Sequence, residues 1–263
     1  MLIQITNRCS EGCPHCMQNS LPDGPHMSMS VFRAAVAFGR FLKCNVYVIS
    51  GGEPTEHPQF LDFCQILNDS IGKNGKAAIS VTSNGMWYPE KKDMIEKLAK
   101  LKNFIGMQVY TNRQWYRNYD RIIRYREEID KMAKVTVDTA PLFMQDLGRA
   151  RFNEEAQKAS EQNPHFMSCL NGHLLIKQAS PLRRLEGMLI PNALCKPLID
   201  FRGNVHLSES CLCPSFGNVA EDLHMEIFRN MQEAKPCLRC AGGKRFKESQ
   251  RLDILKAKEI LEI

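Results

Sequence analysis

The chain has 263 residues, a formal net charge of +6 and 43% hydrophobic residues. This composition excludes a disordered chain, and the length suits one large domain or one domain with a small appendage. No apolar run approaches a membrane span, and eleven cysteines read better as metal ligands in a thiol-reducing cytoplasm than as disulfides. Too few residues precede the first strand for a secretory leader, so a cytoplasmic location is expected.

In chain order, residues 2–6 read as a strand. Directly behind them comes Cys9-Ser-Glu-Gly-Cys13-Pro-His-Cys16. Three thiolates on one short loop can hold three irons of a cubane [4Fe–4S] cluster and leave the fourth iron without a protein ligand. Electron-carrying clusters normally have four cysteine ligands, so the C-x3-C-x2-C spacing points to chemistry at the iron. The competing reading is a zinc site completed by His15 or His26. A helix over 30–43 follows, capped by Ser28 or Ser30, then a strand at 46–50 leading into Ser50-Gly51-Gly52-Glu53-Pro54. Helices over 58–71, 89–101, 115–132 and 153–162 alternate with strands at 78–82, 105–109 and 135–138, and a sixth strand is expected at 173–177. Cys44 and Cys64, beside Leu42, Phe63 and Leu67, read as core fillers. Arg113, Arg117, Arg121 and Arg124 recur among aromatic residues. An amphipathic helix with Trp115, Tyr119, Ile122 and Ile129 inward accounts for them better than a nucleic-acid patch.

The cysteine loop, Gly51-Gly52-Glu53, Ser83-Asn84-Gly85, residues 110–112 and residues 139–140 all follow the C-terminal ends of candidate strands. In a barrel of parallel strands those ends converge on one mouth. Cys9, Cys13 and Cys16 together with Gly51-Gly52-Glu53 resemble the radical SAM enzymes. The resemblance implies an α/β fold, a partial (β/α)6 TIM-like barrel. It also implies a [4Fe–4S] cluster on the three cysteines whose open iron binds S-adenosylmethionine (SAM) through its amino and carboxylate groups. Glu53 would supply a carboxylate for that amino group, while Gly51 and Gly52 let backbone approach a ligand closely. Ser83 and Asn84 are expected at the ribose or carboxylate of SAM, with an ordinary Asn-Gly turn as the alternative. His57 is expected to close a loop or cap a helix, and Gln108 to reach the mouth or pack against it.

Beyond residue 180 the βαβ pattern ends. A hairpin is expected over 197–201 and 204–208, turning at Arg202-Gly203-Asn204, with Cys195 before it and Cys211 and Cys213 after it. A helix over 221–234, Cys237-Leu-Arg-Cys240 and a last amphipathic helix over 244–262 complete the chain. This arrangement resembles the twitch module, a shortened SPASM domain. The resemblance implies one auxiliary [4Fe–4S] cluster on Cys195, Cys211 or Cys213, Cys237 and Cys240, against a structural zinc site on the same residues. Ser208 stands where SPASM-type sequences usually have a cysteine, so the choice between Cys211 and Cys213 stays open. The expected division is a radical SAM barrel over 1–180, an auxiliary hairpin-plus-helix domain over 181–243 and a C-terminal helix over 244–263.

The implied activity is reductive cleavage of SAM to a 5′-deoxyadenosyl radical that abstracts hydrogen from a substrate. A peptide is placed first, with oxidative crosslinking or epimerisation as the outcome and Cys169 or Cys213 as candidate hydrogen donor. A carbohydrate-like small molecule is the alternative substrate. A methyl-transferring relative and a non-catalytic iron–sulfur, SAM-binding or electron-transfer protein are the other readings. An external donor such as flavodoxin or ferredoxin is expected, and neither membrane nor nucleic acid is expected as a partner.

Overall fold

β-Branched and aromatic runs form the strands. In a computed structural model describing residues 1–71, 77–140, 148–162, 197–206 and 215–233, these are β1 (Leu2–Gln4), β2 (Val46–Ser50), β3 (Ala78–Ser83), β4 (Phe104–Tyr110) and β5 (Val135–Asp138). Two short strands follow, β6 (Leu198–Ile199) and β7 (Val205–His206). All seven lie in one sheet, ordered β5-β4-β3-β2-β1-β6-β7. Every pairing from β5 to β6 is parallel, and only the β6–β7 hairpin is antiparallel. Parallel strands need covered crossovers, and the helices supply them.

Helix α1 (Met29–Phe41) starts at Ser28, whose side chain accepts from the Val31 N–H, and buries Phe32, Ala35, Val36 and Phe38. Helix α2 (Phe60–Ile71) buries Phe63, Cys64 and Leu67. The rings of Phe32 and Phe63 stack at 4.1 Å, fastening α1 to α2. Cys64 is fully buried and Cys44 is half-buried against the same core, as apolar fillers should be. Helix α3 (Lys92–Ala99) is shorter than the 89–101 expectation.

The helix expected over 115–132 is two short ones, α4 (Tyr119–Arg124) and α5 (Arg126–Asp130). Ile122 and Ile129 are buried as expected. Trp115 is buried too, but in a separate cluster with Ala150 and Ala156. Residues 112–118 are therefore loop, because Trp115 and Tyr116 are drawn to the cysteine segment rather than to the helical face.

Helices α6 (Glu154–Gln162) and α7 (His224–Glu233) match their expectations closely. The hairpin continues the barrel sheet: Leu2 and Ile3 of β1 register with Leu198 and Ile199 of β6. Val205, Val219 and Ile227 join the main core. The strand expected at 173–177, the helix over 244–262, the boundary near 181, and Cys169, Cys195, Cys211, Cys213, Cys237 and Cys240 lie outside the described residues. Among the described residues no helix is long and apolar enough to cross a membrane.

Candidate active site

The cysteine segment is a closed loop hung from β1. Its stems are zipped by backbone bonds: Asn7 N to Pro25 O (2.8 Å), Cys9 N to Leu21 O (2.9 Å) and Met27 N to Ile5 O (2.8 Å). Between the stems, Gly12 takes a positive φ of 52° and the Cys16 N–H donates to Cys13 O at 3.1 Å, turning the chain between the second and third cysteines. Cys9, Cys13 and Cys16 are all free thiols. They line one cavity of about 350 Å³ together with Gly51, Gly52, Ser83 and Asn84. The structure thus brings together the three cysteines and four of the five other expected site residues.

The fifth, Glu53, sits behind the cavity wall. It is fully buried, and its carboxylate accepts four hydrogen bonds. Oε1 takes them from Thr55 N (3.1 Å), Thr55 Oγ1 (2.6 Å) and Ser83 Oγ (2.9 Å), and Oε2 takes one from Asn84 N (2.7 Å). Burial pushes its pKa up, opposed by the bonds from Asn84, Thr55 and Ser83. Glu53 therefore ties the loop after β2 to the loop after β3.

The two glycines serve a related close approach. A Cβ on Gly51 would lie 2.4 Å from Thr6 O, and one on Gly52 would lie 2.1 Å from Arg8 O. Gly52 N donates to Thr6 O (2.8 Å) and Glu53 N to Arg8 O (2.7 Å). Glycine is demanded here by the stem of the cysteine loop itself, at a contact no side chain could share.

Asn84 has two tasks. Its Oδ1 accepts from Met86 N (2.9 Å), an Asx turn, while its Nδ2 points at Cys9 Sγ, 3.6 Å away. Its backbone carbonyl accepts from Asn118 Nδ2, and Asn118 is held in turn by Thr111 Oγ1 (3.1 Å). Gln108 packs rather than reaching the mouth, donating to Asp138 Oδ2 at 2.8 Å. His57 is a loop-closing cap: its Nδ1 accepts from Gln59 N (3.0 Å), leaving Nε2–H to donate to Met27 O (3.0 Å).

Arg149 and Glu56 are participants to which sequence reading assigned no role at the site. Arg149 straps the far side of the loop, donating from its backbone N–H to Cys16 O (2.9 Å), from Nε to Cys13 O (3.0 Å) and from Nη1 to Asn19 Oδ1 (3.2 Å). Glu56 accepts from Ser10 on the near side. No local pattern marks either contact, because each joins residues far apart in sequence.

Burial governs the electrostatics between these loops. Burial pushes the Cys9 thiol up to about 12, with the charges of Glu53 and Glu56 adding to it. Burial and the Glu11 charge push Cys13 up to about 11. Burial, then Arg149, lowers His15 to about 4, so its ring is neutral between Trp115 and Tyr116, at 5.4 and 5.3 Å. Beside the cysteines, Glu11 Oε2, His15 Nδ1 and Arg149 Nη2 are buried without a hydrogen-bond partner among the described residues. Buried polar atoms are normally satisfied, and soft thiolates favour iron–sulfur binding. These residues therefore fit a cluster. His26 stays at the stem, with Nδ1 2.8 Å from Thr6 Oγ1. Among the described residues no three His, Cys, Asp or Glu side chains converge as one metal ion would require. A cubane, in which each cysteine takes its own iron, does not need that convergence.

Residues 3–136 match the sequence profile of the radical SAM superfamily, and the chain belongs to that superfamily. Its members are enzymes that use a [4Fe–4S] cluster and SAM. Solved structures share the fold. One is anSMEcpe with bound AdoMet and Cp18Cys peptide (13% identity, 99% of this chain and 96% of that chain, TM-score 0.57). Another is SuiB of Streptococcus suis bound to S-adenosylmethionine (14% identity, 94% of this chain and 65% of that chain, TM-score 0.53). SuiB bound to its precursor peptide SuiA aligns similarly (15% identity, 94% and 66% coverage, TM-score 0.52). Comparison with curated proteins finds no match.

Proposed function

We propose that this enzyme abstracts hydrogen from a peptide and leaves it oxidatively crosslinked or epimerised. The observation that carries the site assignment is the convergence of Cys9, Cys13 and Cys16 with Gly51, Gly52, Ser83 and Asn84 on one cavity at the C-terminal ends of parallel strands. Peptide as substrate class is supported by the similar folds of anSMEcpe and SuiB, both solved with peptides. When bound, the cluster and SAM supply one-electron cleavage of the sulfonium to a 5′-deoxyadenosyl radical.

The chain's own residues position and shield. Cys9, Cys13 and Cys16 would hold the cluster. Asn84 Nδ2 directs a hydrogen bond at the Cys9 sulfur, which favours added negative charge on that ligand. Ser83 and Asn84 face the space for SAM from the β3 end, and Glu53 locks their loop against the glycine pair. Trp115 and Tyr116 close around His15 and keep water from the loop's inner side. Cys195, Cys211 or Cys213, Cys237 and Cys240 would hold an auxiliary cluster, whose chemistry is electron acceptance, and Cys169 or Cys213 would return hydrogen in an epimerisation. A flavodoxin or ferredoxin would supply the first electron.

The test is anaerobic reconstitution, dithionite and SAM, followed by assay of 5′-deoxyadenosine and of deuterium moved into it from labelled candidate peptides. Wild type is expected to form 5′-deoxyadenosine, and Cys13→Ala none. Deuterium arriving from a carbohydrate and never from a peptide would overturn the substrate assignment.

A further inference from the structure

The chain just after Cys9 is held by one carboxylate. Glu56 Oε1 accepts from Ser10 N at 3.0 Å and from Ser10 Oγ at 2.6 Å, while Oε2 lies 3.7 Å from Arg8 Nε. Glu56 is itself well anchored. It ends the 3-10 turn Pro54–Glu56, which begins where Glu53 accepts from Thr55 N, and its own N–H donates to Glu53 O at 3.0 Å. Its side chain is 18% exposed, whereas that of Arg8 is 49% exposed, so the Arg8 contact is largely solvated. The bonds to Ser10 are exposed as well, but they place two donors on one carboxylate oxygen, the stronger kind of hydrogen bond.

On the opposite side, Arg149 grips Cys13 O and Cys16 O. The cysteine loop is therefore clamped by an anion near its first ligand and a cation near its last two.

We propose that Glu56 is a positioning residue for the cluster: it fixes Ser10, and through it Cys9, and keeps a negative charge beside that ligand. The inference rests on the reading that Cys9, Cys13 and Cys16 hold the SAM-binding cluster. Two separable effects follow. The tether holds Cys9 ready for iron, so losing it loosens the cluster. The charge opposes the arrival of an electron, so neutralising it makes the cluster easier to reduce.

The experiment uses the full chain, reconstituted anaerobically, as wild type, Glu56→Gln, Glu56→Ala, Ser10→Ala and Cys13→Ala. The electron paramagnetic resonance signal lost in Cys13→Ala identifies the three-cysteine cluster. If Cys13→Ala loses no signal, the reading of the site fails independently of Glu56. With that signal assigned, redox titration gives its midpoint potential and absorbance decay in chelator gives its lifetime. Glu56→Gln, which keeps an acceptor oxygen for Ser10, is expected to have wild-type lifetime and a more positive midpoint. Glu56→Ala is expected to lose the cluster several-fold faster, and Ser10→Ala to fall between it and wild type with an unchanged midpoint. A loss of packing alone would not move the potential in Glu56→Gln. An unmoved midpoint in Glu56→Gln, or wild-type lifetime in a folded Glu56→Ala, overturns the proposal. Should Glu56→Ala not fold, the Glu56→Gln midpoint and the Ser10→Ala lifetime decide it, a wild-type lifetime in Ser10→Ala counting against the tether.

Discussion

Replacing Glu53 with alanine strands four donors at once: the hydroxyl and N–H of Thr55, the Ser83 hydroxyl and the Asn84 N–H. Each buried donor left unsatisfied costs about 1–3 kcal/mol. The variant should lose at least about 3 kcal/mol, read as a lowered denaturant midpoint of the apo-protein, and a loss under 1 kcal/mol would contradict the brace. Glu53 was conspicuous in the sequence because it follows two glycines, but its surroundings were not. A residue that reads as a ligand for a cation is solvated by its own protein here, and only burial and bond partners separate the two cases. The same holds for Gly51 and Gly52. Their need for small size was legible, yet the backbone that imposes it, at Thr6 and Arg8, comes from an earlier segment of chain. Gly52→Ala should displace that stem and abolish cluster binding, seen as missing iron absorbance in a chain that still gives a helical circular dichroism spectrum.

Among elements, the β6–β7 hairpin is gathered around one side chain. Asp200 accepts from Arg202 N, Asn204 N and Asn204 Nδ2, each at 2.9 Å, with His206 Nε2 3.6 Å away. Burial pushes the Asp200 pKa up, but bonds from His206, Asn204 and Arg202 outweigh it, so the carboxyl sits below its ordinary range. A lowered folded pKa gives stability that is present above the unfolded value of about 3.9 and lost as pH falls through the folded value. Wild type should therefore lose more stability than Asp200→Asn on acidification below pH 4, by thermal melts at stepped pH. Equal losses would remove Asp200 from the account. Element existence was readable throughout the described barrel because parallel strands are short apolar runs between amphipathic helices. The failure was the helix over 115–132. Its apolar spacing fits a helix, but Trp115 and Tyr116 answer to His15 on the cysteine loop, a contact that periodicity cannot contain.

At the scale of the molecule, the hairpin and the barrel share one core. Ile199 is fully buried in the cluster that also holds Ile3, Phe32 and Trp87. Ile199→Ala should cost about 2–5 kcal/mol and lower the unfolding midpoint reported by the fluorescence of Trp87 in the barrel. A separately folding hairpin would leave that midpoint where it is. Sequence reading separated this region at residue 181 because the pattern of alternating strands and helices stops there. It could not see that two residues of β6 complete the pairing of β1.

That pairing has a consequence for how the protein is made. On the ribosome, the strand that leads into the cysteine loop emerges well before one of its two neighbours, which is translated almost two hundred residues later. Until then its outer edge has nothing to pair with, a state prone to misassociation, and the nascent thiols hang from a half-supported strand. Iron delivery that waits until β6 has been made would meet a loop already braced from both flanks, whereas earlier delivery would meet a scaffold still missing one wall.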